Sequence, residues 1–207
     1  MNTYHVAYDV LRAKLAALDL DRIVANSGAR RLAPDRIGLR CLGREYEVAY
    51  PEGTVRDADG TETPEHDAIL LLLYLTEASG RPLEERWVAF EQLVGGAGYI
   101  GSFRSRVVAP VLRSYGGRPA ALAPAAVALD GAPLAMGDVA VLLQALPRVP
   151  LAFIVWGGDD EFPPSVNVVF DASVEGYLDA EAVTVLAEMA ARRLEKSVSH
   201  PGKEGTP

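Results

Sequence analysis

The stretch Leu151-Ala152-Phe153-Ile154-Val155-Trp156-Gly157-Gly158-Asp159-Asp160-Glu161-Phe162-Pro163-Pro164-Ser165-Val166-Asn167-Val168-Val169-Phe170 decides the fold class. Two apolar runs rich in β-branched and aromatic residues, each too short for a helix, flank a Gly, Asp and Pro linker and so read as paired strands. A third strand-like run at residues 139–143 precedes them, which predicts an antiparallel meander. Beyond the meander Val183, Leu186, Ala187, Ala190 and Leu194 recur at helical spacing. Asp179 stands at the N-cap position of that helix, and Arg192, Arg193 and Lys196 complement its negative end. Strands followed by a helix able to cover them point to an α+β fold.

Upstream, Tyr4, Ala7, Leu11, Leu15 and Leu18 predict an amphipathic helix. Residues 37–42 and 45–50 flank Gly43-Arg44 and read as a hairpin. Thr63-Pro64 signals a helix start with the Thr63 hydroxyl as cap, and residues 69–75 are apolar on every side, so a helix over 64–77 belongs in the core. Residues 87–90 read as a short strand, broken by the glycines of 95–101 before an amphipathic segment around Val107, Val108, Val111 and Leu112. Pro110 argues against one long helix there. Residues 116–137 predict loops with one short helix. The expected whole is a single α+β domain over 1–196, its mixed or antiparallel sheet ending in a C-terminal meander and packed against helices. Residues 197–207 are expected to form a disordered tail.

The chain has 207 residues, 49% hydrophobic and 23% charged, a balance typical of one folded core. Its 28 acidic residues against 20 basic ones give a net charge of -8, which repels a phosphate backbone. The densest basic stretch, Arg104, Arg106 and Arg113, reads as solvated surface, so no nucleic-acid partner is expected. A single cysteine, Cys41, excludes an intramolecular disulfide or a cysteine-ligated cluster held by this chain alone, and reads as a packing residue. The longest apolar run, residues 68–75, is far below the ~18 residues needed to span a bilayer. With no basic-then-apolar leader, the expectation is a cytoplasmic protein without a membrane partner.

Two segments carry candidate chemistry. Gly96-Ala97-Gly98-Tyr99-Ile100-Gly101 fits the dinucleotide fingerprint G-x-G-x-x-G, but Glu91 and Gln92 precede it and no acidic residue follows at the required distance. It therefore reads as a glycine-rich loop allowing tight turning or close backbone approach. Asp159, Asp160 and Glu161 stand between glycines and Phe162-Pro163-Pro164, where they would stay hydrated while Phe162 anchors the loop on the core. In a second reading the same carboxylates hold a cation or share a proton. Asp171 falls at the far end of the hairpin, beside Arg148, so an Arg148–Asp171 ion pair is expected to close that end. His5, His66 and His200 belong to no nucleophile–base pattern, and His66 reads as surface.

Gly53-Thr54-Val55-Arg56-Asp57-Ala58-Asp59-Gly60, Gly101-Ser102-Phe103, Gly137-Asp138, Leu146-Pro147-Arg148-Val149-Pro150-Leu151, Asp160-Glu161-Phe162-Pro163 and Phe170-Asp171, in that order, resemble the pattern of domain-of-unknown-function family 3786. The resemblance covers nearly the whole chain. It implies a setting in anaerobic bacteria and archaea, where some members are fused to a four-cysteine iron–sulfur domain that this chain lacks. It thereby implies anaerobic one-carbon or redox metabolism as context, and no catalytic residues.

The resulting expectation is an accessory protein that binds a small ligand or a partner. Its candidate residues are Gly98, Tyr99, Gly101, Ser102, Phe103, Asp159, Asp160, Glu161 and Phe162, on two loops. The alternative is an enzyme using Asp159, Asp160 or Glu161 as acid, base or metal ligand. The residues assign no cofactor, no catalytic group and no metal site.

Overall fold

The protein, in a computed structural model, is described over residues 3–199. Helix α1 (Thr3–Ala17) leads into α2 (Leu20–Ser27), whose N-cap Asp19 accepts from the Arg22 N–H at 3.0 Å. Strands β1 (Arg30–Ala33), β2 (Arg36–Cys41), β3 (Arg44–Ala49) and β4 (Val55–Asp57) then form a four-stranded antiparallel meander in chain order. The expected hairpin is β2–β3, with Cys41 opposite Arg44. Its two turn residues are Leu42 and Gly43, both at positive φ, as a two-residue hairpin link requires. Leu42 tolerates that conformation because its side chain is buried and its N–H donates to the Ala145 carbonyl at 3.0 Å.

Helix α3 (Glu65–Glu77) buries Leu70, Leu71, Leu72, Tyr74 and Leu75, as its uniformly apolar sequence requires. Thr63 is not its cap, contrary to expectation: Pro64 holds the N-cap position, and the Thr63 hydroxyl donates instead to Asp57 at 3.1 Å. After β5 (Trp87–Ala89) and a 3₁₀ turn at Phe90–Gln92, the glycine-rich segment departs from its loop reading and forms helix α4 (Gly96–Phe103). A side chain at Gly96 would lie 2.0 Å from the Phe90 carbonyl oxygen, so glycine lets the helix start against that turn. Phe103 is locked onto Phe90, their rings stacked 4.0 Å apart.

Helical geometry continues through a π-helical turn at Arg104–Val108 into α5 (Ala109–Tyr115). Pro110 therefore does not break the path. A proline has no N–H for the carbonyl four residues back and its ring clashes with that carbonyl. Widening the turn before it, with the Ala109 N–H reaching back to the Arg104 carbonyl, lets the chain pass without a break.

The second half contains α6 (Leu122–Ala126), then β6 (Ala132–Leu134), β7 (Val139–Leu146), β8 (Val149–Trp156) and β9 (Ser165–Asp171). The predicted meander pairs Leu151 with Phe170 and Trp156 with Ser165. The five-stranded antiparallel sheet has the order β5-β9-β8-β7-β6. Pro150 sits opposite Gln144, where the β7–β8 register shifts, so its missing N–H interrupts no regular ladder. Helix α7 (Ala180–Ser199) starts at Asp179, which accepts from the Ala182 N–H at 2.9 Å. It runs through Ser199, so the first residues of the expected tail are helical, and residues 200–207 lie outside the described residues.

Val183, Leu186, Ala187, Ala190 and Leu194 of α7 are all fully buried, and one apolar cluster joins this helix to α3, both sheets and the 96–115 helical path. Arg193 ties the helix to the first sheet: its guanidinium donates to the carbonyls of Cys41 and Leu42 and, at 2.7 Å, to the Tyr46 hydroxyl. No helix among the described residues is long and apolar enough to cross a membrane.

Candidate functional site

The two segments expected to carry function lie at opposite ends of one helical path. Pro164 packs at Gly116, just past α5, whereas Gly101 lies in α4. At about 1.5 Å per residue those glycines are about 22 Å apart along the path. In the 157–164 loop, Asp159 Oδ1 accepts from the N–H groups of Glu161 and Phe162, at 2.9 and 2.7 Å. The Phe162 and Glu161 N–H groups hold the Asp159 carboxyl below its ordinary value. Asp160 and Glu161 face water. Phe162 does not anchor the loop, being 67% exposed; the Asp159 contacts and the Gly157 N–H to Asp138 at 2.8 Å pin it instead. Among the described residues no group of three His, Cys, Asp or Glu is placed to hold a metal ion.

The expected Arg148–Asp171 ion pair is absent. Asp171 is buried and accepts from the Glu84 and Ser173 N–H groups, both at 2.9 Å. Burial alone would raise its carboxyl, but the hydrogen bonds from Ser173 and Glu84 outweigh it and hold the group below its ordinary value. Arg148 turns the other way, donating from Nη2 to the Ala25 carbonyl at 3.2 Å. Backbone donors satisfy Asp171 more cheaply here than a guanidinium would, because no long side chain has to be ordered to supply them.

Helices converge elsewhere, around a cleft of about 440 Å³. Tyr4, Ala7, Val10 and Leu11 of α1 form one wall, and His66, Ile69, Leu70 and Leu73 of α3 form the next. The start of α7 contributes Asp179, Glu181, Ala182 and Val185, and the π turn contributes Arg106. Each helix presents these residues at three- and four-residue spacing, so each wall is one helical stripe.

Polar groups mark the cleft. Arg106 donates to Glu188, from Nε at 2.8 Å and again from Nη2, and from Nη1 to the Ser102 hydroxyl at 3.4 Å. Arg192 bridges Glu188 and Asp67, both at 4.0 Å, and Asp67 lies 3.1 Å from His66 Nδ1. The Tyr99 hydroxyl donates to Glu181 at 3.3 Å. The negative charge of Glu181 makes the Tyr99 phenol harder to ionise.

Of the candidate residues, Tyr99 and Ser102 thus reach groups of the cleft, Phe103 is core, Gly98 and Gly101 are open helix surface, and the acidic loop is remote. Sequence reasoning missed Arg106, taken for free surface, and His66, which is half-buried against Asp67. One signal was available: Val10 falls off the core stripe of α1 and, 61% exposed, lines the cleft.

Neither the curated proteins nor the solved structures contain a match to the chain. A family model does match, over residues 19–193. The α1 wall of the cleft precedes the matched residues, whereas α3, the π turn and the start of α7 lie within them. By a match over most of its length, the chain belongs to the family described as domain of unknown function (DUF3786).

Proposed function

We propose that the protein is an accessory binding protein that holds a small ligand in the cleft between α1, α3 and α7. The observation that carries this reading is convergence: three helices and the π turn line one concavity of about 440 Å³, its walls mostly apolar with His66, Arg106, Asp179 and Glu181 as the polar groups among them. That combination of size, apolar lining and few placed polar groups is the general form of a small-molecule site. We further propose anaerobic one-carbon or redox metabolism as the setting of this role.

The carboxylate loop offers less support for the enzyme alternative. Asp159 is engaged by its own loop, and the loop is remote from the cleft. An acid or base needs a reacting group within hydrogen-bond reach, and among the described residues no cluster of three His, Cys, Asp or Glu forms around Asp160 or Glu161.

The test is native purification from an anaerobic host, followed by mass spectrometry and an ultraviolet–visible spectrum, with Ala7→Phe as the cleft-filling control. A small molecule retained by the wild-type protein and lost from a folded Ala7→Phe variant supports the reading. Retention of the same molecule by the filled variant refutes it.

A further inference from the structure

Resting on that cleft reading, we infer that the ligand is a cationic amphiphile: an apolar body about 10 Å long ending in an amine that faces Asp179 and Glu181. The length follows from α3, where His66 and Leu73 mark the two ends of the wall, at about 1.5 Å per residue. Helix α7 runs antiparallel to α3, because Arg192 approaches Asp67 while Asp179 shares a neighbouring hollow with Leu73. Asp179 and Glu181 therefore stand at the Leu73 end, opposite His66.

The charge at that end is uncompensated. Asp179 accepts one N–H, from Ala182, and Glu181 accepts one hydroxyl, from Tyr99; neither has a cationic partner among the described residues. Arg106, the cation lining the cleft, is neutralised by Glu188. An anionic ligand would meet two carboxylates that lack a cationic partner and a guanidinium already taken, whereas an ammonium group brings three donors to the carboxylate oxygens. Acids in the first turn of a helix also complement its dipole. That accounts for their type but not for their standing on the wall of an apolar cleft.

Three probes that share one alkyl chain of matching length separate the possibilities: octylamine, octanol and octanoate, titrated below their micellar range by calorimetry and amide chemical shifts. We expect octylamine to bind about tenfold tighter than octanol, with octanoate weakest, a ratio consistent with two partly exposed charge contacts. Glu181→Gln should bring octylamine to within about threefold of octanol, by a loss of affinity larger for octylamine than for octanol; Asp179 is left intact because it caps α7. Added salt should weaken octylamine selectively. Octanol or octanoate binding as tightly as octylamine, with all three lost in Ala7→Phe, overturns the amine assignment and leaves the cleft reading standing. Unchanged octylamine affinity in Glu181→Gln also overturns the assignment. No binding by any probe overturns the cleft reading with it.

Discussion

Replacing Gly98 and Gly101 by alanine should stabilise the protein. Both lie inside α4, and a Cβ added at either meets nothing within 4 Å, so neither glycine is required by a close approach within this chain. Glycine in a helix interior loses about 0.5–1 kcal/mol relative to alanine, chiefly through the greater freedom of the unfolded chain. Gly98 falls in the first turn and should return the lower figure, about 0.5 kcal/mol, and Gly101 about 1 kcal/mol. For a chain of this size the double variant should melt about 3–6 °C higher. Gly96→Ala is the opposing control, because its Cβ would lie 2.0 Å from the Phe90 carbonyl oxygen, and it should destabilise by about 2 kcal/mol or more. Urea unfolding followed by far-ultraviolet circular dichroism measures all three on one scale. A double variant less stable than wild type would refute the helical assignment of 96–103 and restore the loop reading.

At neutral pH Asp171→Asn should cost about 1–2 kcal/mol, since its oxygen takes two N–H groups in a buried position. The Asp171 carboxyl is held low in the folded state, so its contribution is present above the unfolded value of about 3.9 and is lost as pH falls through the folded one. Urea midpoints of wild type and variant should therefore converge below about pH 4, and a constant gap would contradict the assignment. Arg193→Ala strips donors from the Cys41 and Leu42 carbonyls and the Tyr46 hydroxyl; a loss of about 2–3 kcal/mol in urea unfolding is expected, and no loss would show the tie to be idle. Burial pushes the Cys41 thiol up to about 12, so a disulfide reagent should label it only as fast as the protein unfolds; rapid labelling of the native protein would place it elsewhere.

The elements readable from sequence are those whose own burial dictates their pattern. β8 is buried along its length except at Trp156, so it had to be a continuous apolar run, and α7 had to show its stripe because its inner face is fully buried. β1 and β6 escaped detection for the converse reason. They are edge strands, where Arg30 and Arg31 face water and Pro133 withholds no needed N–H, so neither carries an alternating apolar signature. In α4 tertiary packing overrides local preference: three glycines disfavour helix, yet Gly96 on the Phe90 carbonyl and Phe103 on the Phe90 ring hold the segment in place.

The cleft is harder to read than the fold for a related reason. Its walls come from residues 4–11, 66–73, 106 and 179–185, and within each segment every residue has a sufficient local explanation. Asp179 caps a helix, Ile69 packs beside the core, and Arg106 pairs with an acid. The π turn is the clearest case of such a local explanation. Pro110 gives it a purely structural cause, since a helix that must pass a proline has to relieve the carbonyl before it. Arg106 leaves the helix within that widened turn, and its guanidinium reaches Glu188 on α7 as well as the Ser102 hydroxyl on its own helical path. Neutralising Arg106 there leaves Asp179 and Glu181 as the unanswered charges of the cleft. A backbone accommodation required by one proline thereby bears on the charge that a ligand would meet.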